Sequence, residues 1–139
     1  MSAELDIALP RIRDAEGYRK FPYKDSVGVQ TIGYGCALDT GWPETFAAAV
    51  CKLQVEDAET ECMELDFWND LDPLRRSVLI EMVFNLGIDR FLGFHRMLAA
   101  VKAKDWTAAA NEMLASRWAQ QVGGRANRLA RIMESGADQ

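Results

Sequence analysis

The run Tyr23-Lys24-Asp25-Ser26-Val27-Gly28-Val29-Gln30-Thr31-Ile32-Gly33-Tyr34-Gly35 differs in character from the chain on either side of it. It is rich in β-branched and aromatic residues and turns at Asp-Ser-Val-Gly, which predicts a small hairpin at roughly 22–24 and 29–34. Everything after Gly41 reads as helix. One short hairpin set in a helical chain leaves α+β as the fold class: a small N-terminal β-hairpin lobe and a mainly helical C-terminal lobe, joined by a long helix. Gly33 and Gly35 alternate in the second half of the hairpin. Glycines inside a strand mark a bulge or a close approach of backbone to a ligand.

The helices follow from their punctuation. Pro10 lies in an amphipathic stretch, and proline is tolerated in a first helical turn, so the first helix is expected to begin near Ile7–Leu9 and to stop at Gly17. Trp42-Pro43-Glu44 opens a long helix running to about Glu64. Asp72-Pro73 is an N-cap followed by proline at the first helical position, and that helix runs from Leu74 to Leu86 before Gly87. Its apolar residues Leu74, Val78, Leu79, Met82, Val83 and Leu86 fall on one broad face, as a buried helix requires. Further helices are expected at about 94–103, 106–115 and 124–134, with Asp105 capping the second and Gly123-Gly124 breaking the chain before the third. The 139 residues contain no repeat and no Pro/Gly/Ser linker. That is the size of one domain, residues 1–139, with the hairpin lobe at about 17–42 and the helical lobe at about 65–139 plus the N-terminal helix.

Composition excludes several functions. Half the residues (49%) are apolar and 27% charged, which supports a packed core rather than disorder. The net charge of −5 argues against a nucleic-acid binder. No apolar run approaches the roughly 20 residues that span a bilayer, so no stable membrane insertion is expected. The acidic N-terminus lacks a signal-peptide apolar run, which places folding in a cytoplasm. Three cysteines argue against a disulfide framework. Cys51 and Cys62 would sit about 16 Å apart along one helix, beyond the roughly 7 Å that a disulfide allows, so both are expected to be small buried apolar groups. One histidine and no Cys-x-x-Cys pair give no zinc site, so no metal and no cofactor is expected. Charge is segregated: residues 56–72 carry eight acids and no base, whereas 113–133 carry Arg117, Arg125, Arg128 and Arg131 and no acid. Arginines without acids can be a solvated face or can hold an anion.

Glu16 ends the first helix, Asp25 opens the hairpin turn, and Thr31 follows. Two carboxylates in different settings can divide acid and base roles, and glycoside hydrolysis needs such a pair. A helix-capping Glu16 and a turn-opening Asp25 would give the same pattern, and spacing alone does not choose. His95 reads as a surface or hydrogen-bonded group, since nothing around it or Cys36 supports a thiol peptidase. Trp106 and Trp118 read as core anchors, whereas Trp42 and Trp68 border the hairpin region and could touch glycan.

Three segments in order carry a resemblance. Ile12-Arg13-Asp14-Ala15-Glu16-Gly17 with Tyr23-Lys24-Asp25 and Thr31-Ile32-Gly33-Tyr34-Gly35 is the first. Leu79–Gly87 is the second, and Ser116-Arg117-Trp118 with Arg125-Ala126-Asn127-Arg128 is the third. Glutamate, eight residues, aspartate, five residues and threonine is the spacing of the phage-lysozyme family, glycoside hydrolase family 24, which this chain resembles over nearly its whole length. The resemblance implies a lysozyme-like fold and cleavage of the β-1,4 bond between N-acetylmuramic acid and N-acetylglucosamine in peptidoglycan. It implies Glu16 as general acid, Asp25 and Thr31 as the groups that position water, and inversion at the sugar carbon. Arg125 matches the arginine that pairs with the catalytic glutamate, and Phe84 and Tyr34 are the expected substrate-binding positions. The expected partner is the glycan strand alone, met by a monomeric endolysin that is released from the host cytoplasm through a separate membrane lesion. A glycan-binding or structural module that kept the fold and lost catalysis is the alternative. The chain also departs from the family. Cys36 stands where a histidine is common, Ala37 and Glu112 differ at substrate-facing positions, and Ala37–Thr45 is shorter than in the T-even members, which predicts a reduced sheet.

Overall fold

A computed structural model describes residues 2–138. The chain divides into two compact units, residues 1–49 and 50–139, and the helix α2 (Glu44–Cys62) runs from the first into the second.

The N-terminal unit opens with α1 (Ala3–Glu16). The helix begins several residues before the expected start. Ser2 has extended backbone, and its hydroxyl accepts the amide N–H of Leu5 at 3.4 Å, so the cap lies upstream and Pro10 falls inside the helix. Proline there leaves the carbonyl four residues back without its usual donor. Gly17 stops the helix as expected, at φ 68°, with its N–H on the carbonyl of Arg13.

The sheet has three antiparallel strands in the order β1 (Arg19–Lys24), β2 (Gln30–Gly33), β3 (Cys36–Ala37). The first strand starts earlier than expected and the third was not expected. Tyr23 faces Thr31 and Lys24 faces Gln30, but the register slips between Arg19 and Tyr23. Pro22 lies inside that slip, in an edge strand, where a missing N–H is tolerated. Two residues suffice for β3 because a turn at Tyr34-Gly35, with Gly35 at φ 72°, brings Cys36 opposite Ile32. Thr31 is central, with Tyr23 on one side and Ala37 on the other, and is 4% exposed.

The C-terminal unit is built on α3 (Pro73–Leu86), α4 (Ile88–Leu92), α5 (His95–Lys102), α6 (Trp106–Leu114), α7 (Arg117–Val122) and α8 (Gly124–Ser135). Asp72 caps α3 by accepting the N–H of Arg75, and Asp105 caps α6 by accepting that of Ala108. The short helices α4 and α7 and a single 3₁₀ turn at Trp68–Asp70 were not expected. Val78, Leu79, Met82 and Val83 of α3 are buried, with Leu74 and Leu86 packed at the margin. They join Phe91, Met97, Val101, Met113, Trp118, Leu129 and Met133 in one core. Ala109 and Ala110 of α6 and Ala126 and Ala130 of α8 are buried too, and small side chains there let the two helices pack closely. Burial of each large apolar side chain contributes about 1.5–3 kcal/mol.

Arg75 ties this unit together. Its Nε and Nη2 donate to the carbonyls of Met133 and Glu134 at 2.7 and 3.0 Å, the orphan acceptors of the last turn of α8. Its Nη1 holds Asp72 at 3.1 Å, and the guanidinium lies 3.9 Å from the centre of the Trp106 ring. The cysteines are free: Cys62 is buried, as expected, Cys36 is half-buried, and Cys51 is exposed rather than buried. No helix among the described residues is long and apolar enough to cross a membrane.

Candidate active site

Glu16, Asp25 and Thr31 all belong to the N-terminal unit, and each is held by different local chemistry. Glu16 is the last residue of α1 and is exposed. Its side chain lies against the backbone of Gly35. A Cβ at Gly35 would stand 2.7 Å from the Glu16 carboxyl carbon, so a larger residue there would require the glutamate side chain to swing aside. Gly33 and Gly35 were expected to mark a bulge or a close approach to a ligand; at Gly35 the neighbour is a side chain of the same chain.

Asp25 follows β1 and opens the turn. Its Oδ1 accepts the N–H groups of Val27 and Val29, both at 2.9 Å, which fixes the carboxylate while leaving Oδ2 free of these bonds. Val29 also joins Asp25 to Thr31. Its carbonyl accepts the Asp25 N–H at 2.9 Å and the Thr31 hydroxyl at 2.9 Å. One backbone residue thus sets the aspartate and the threonine against each other. With its proton committed to Val29, the Thr31 oxygen keeps lone pairs to accept a hydrogen bond.

Tyr34, expected to meet substrate, is 40% exposed and is itself braced. Arg13, one turn before Glu16 on α1, donates from Nη2 to the Tyr34 hydroxyl at 3.0 Å. The Tyr18 ring lies 5.6 Å from the Tyr34 ring. The brace spans the end of α1 and the turn that carries Gly35. Sequence reasoning missed it and missed Val29. The signal for Arg13 was its place three residues before Glu16, on the same helical face. Val29 left no side-chain signal because it acts through backbone.

Phe84 (41% exposed) on α3 and Arg125, exposed in the first turn of α8, belong to the C-terminal unit. Within that unit Trp118 is buried at 3% exposure and donates its Nε1–H to Asn85 at 2.8 Å. Trp106 packs partly buried on the same core, so both read correctly as anchors. Trp42 is 42% exposed, whereas Trp68 is buried and unavailable to glycan. His95 is exposed. Among the described residues no group of three His, Cys, Asp or Glu side chains could hold a metal ion.

The sequence pattern of the phage lysozyme family matches residues 13–133. This chain belongs to the phage lysozyme family. The match takes in Glu16, Asp25, Thr31 and the helices through most of α8. Among relatives, the Dictyostelium discoideum protein named "Probable T4-type lysozyme 2" is 35% identical over 152 aligned positions, covering 87% of this chain and 89% of that protein. "Probable T4-type lysozyme 1" of the same organism is 36% identical over 69 residues, half of this chain but only 41% of the relative. The pre-baseplate central spike protein of Enterobacteria phage T4 is 35% identical over 69 residues, which is 12% of its length. The chain therefore spans less than half of two of these three relatives.

Proposed function

We propose that this chain is a muramidase that hydrolyses the β-1,4 bond between N-acetylmuramic acid and N-acetylglucosamine in peptidoglycan. The observation that carries the reading is the shared anchorage of Asp25 and Thr31 on Val29, in the unit that also presents Glu16 against Gly35. In the proposed reaction Glu16 gives its proton to the leaving oxygen as the C–O bond breaks. A water held by Asp25 and Thr31 attacks the sugar carbon from the opposite face, and Asp25 takes its proton. The products are a new reducing end of inverted configuration and a free hydroxyl. Inversion requires the two carboxyls to stand about 6.5–9.5 Å apart, leaving room for that water.

Arg125 as an orienter of Glu16, and Phe84 and Tyr34 as sugar contacts, are assigned by family resemblance. A close guanidinium favours the ionised carboxylate, so Arg125 would orient Glu16 rather than help it hold its proton. The same reading makes residues 1–139 a single monomeric lysozyme domain that needs no cofactor. It would reach the wall from the host cytoplasm through a separate membrane lesion.

Digestion of purified cell wall tests the proposal. New reducing ends without new amino groups are expected, and new amino groups alone would overturn it. Glu16→Gln should fold with unchanged stability and lose about a hundredfold to ten-thousandfold in rate, because the leaving group then departs unprotonated. A Gln variant at wild-type rate removes Glu16 from the acid role. A wild-type chain that binds glycan and releases no reducing ends would be a module that lost catalysis.

A further inference from the structure

We propose that Arg13 is a positioning residue for Glu16: it clamps Tyr34, and through Tyr34 it fixes the Gly35 turn against which the Glu16 side chain lies. The catalytic role rests on the muramidase reading; the clamp itself does not. Arg13 and Tyr18 stand on either side of Glu16 in the chain, and both close on Tyr34, the residue before Gly35. Arg13 donates from Nη2 to the Tyr34 hydroxyl at 3.0 Å, and its guanidinium carbon is 4.9 Å from the centre of that ring. The Tyr18 ring meets the same ring at 5.6 Å, tilted by 46°. The backbone of Arg13 acts on the other partner. Its carbonyl accepts the Gly17 N–H at 2.9 Å and so ends α1 just past Glu16. One residue thus holds both sides of the contact between Glu16 and Gly35.

The turn needs such a restraint. Gly35 sits at φ 72°, and glycine is free to leave that conformation for many others. The strands on either side have four residues and two, so the ladder alone holds the turn weakly. A tyrosine gripped at its hydroxyl and on its ring has neither side-chain torsion free, and its backbone leads directly into Gly35. An arginine three residues before a glutamate on a helix can pair with it. Among the described residues Arg13 forms no salt bridge, with Glu16 or any other acid, and its guanidinium is engaged by the phenol instead. The carboxylate is therefore left to face the glycosidic oxygen. The Tyr34 hydroxyl accepts from Arg13, so its own proton remains for a sugar oxygen.

Steady-state kinetics of the full chain on soluble glycan fragments, run well below each variant's melting temperature, test the role. Arg13→Gln should lower kcat about tenfold and leave KM unchanged, as expected for a modest displacement of the acid. Arg11→Gln removes the same charge from the same helix outside the clamp and should change neither. In a Tyr34→Leu background, which lacks both ring and hydroxyl, Arg13→Gln should cost no more than about twofold in kcat, because the pair acts as a unit. The Gly35 amide resonance should move in Arg13→Gln and stay in place in Arg11→Gln, a reading that needs no activity. An unmoved Gly35 amide or an unchanged kcat in Arg13→Gln would overturn the proposal. So would a rise in KM alone, which marks an arginine that binds glycan. The full tenfold loss in the Tyr34→Leu background would overturn it too, since Arg13 would then act on Glu16 without the clamp. A wild-type chain that releases no reducing ends would bring down the muramidase reading and the catalytic role with it. An active wild type with an indifferent Arg13→Gln overturns this proposal alone.

Discussion

Glu16 and Gly35 are nineteen positions apart and meet because glycine has no Cβ. Gly35→Ala would force the carboxylate away and strain a backbone already at positive φ. A displacement near 1 Å at a catalytic group can cost about a hundredfold, so Gly35→Ala should lower kcat by about that factor and change KM little. Steady-state kinetics on soluble glycan fragments will read this. At this scale the sequence was informative where side chains act. Glu16, Asp25 and Thr31 were singled out by the spacing they share with the phage-lysozyme family, since type and position alone fit helix capping and a turn equally well. Val29 did not, because its N–H and carbonyl are common to nearly every residue, and only the turn geometry aims both at neighbours that matter.

Elements were legible where their ends carry their own chemistry. The α3 helix was read to within one residue from Asp72-Pro73 and Gly87. The start of α1 was misplaced because Pro10 reads as marking a first turn, whereas Ser2 caps the helix and Pro10 lies inside it. The helices α4 and α7 are too short to show an apolar period. Burial acts to raise the pKa of Asp72, but its hydrogen bonds from the Arg75 backbone and guanidinium outweigh that effect and hold it below the ordinary carboxylate value. A lowered folded pKa adds stability that is present above the unfolded value and is lost as pH falls through the folded one. Asp72→Ala should therefore cost about 0.5–2 kcal/mol at neutral pH. The gap should close as the pH drops below about 4. Urea unfolding of both proteins across that range provides the measurement.

The two units differ in what holds them. The C-terminal unit has a continuous core from Ala58 to Met133, whereas Thr31 is the one buried residue among those described in 2–49. Leu5, Leu9 and Ile12 of α1 are each more than two-fifths exposed. A peptide of residues 1–49 should be unfolded alone, while the full chain should melt in one cooperative transition, as circular dichroism of each will show. Two separate transitions would contradict the single-domain proposal. Hydrophobic pattern foretold the helical core, but exposure along α1 was not legible, since an apolar stripe says that a helix can be covered and not how far it is. The thiols carry a last consequence. Burial and the nearby Glu61 and Glu59 push Cys62 up to about 12, so almost none of it is thiolate at neutral pH. Cys51 lies open on the same helix. In air, ageing of this protein should begin with Cys51 linking one molecule to another, leaving Cys62 reduced within each half of the pair.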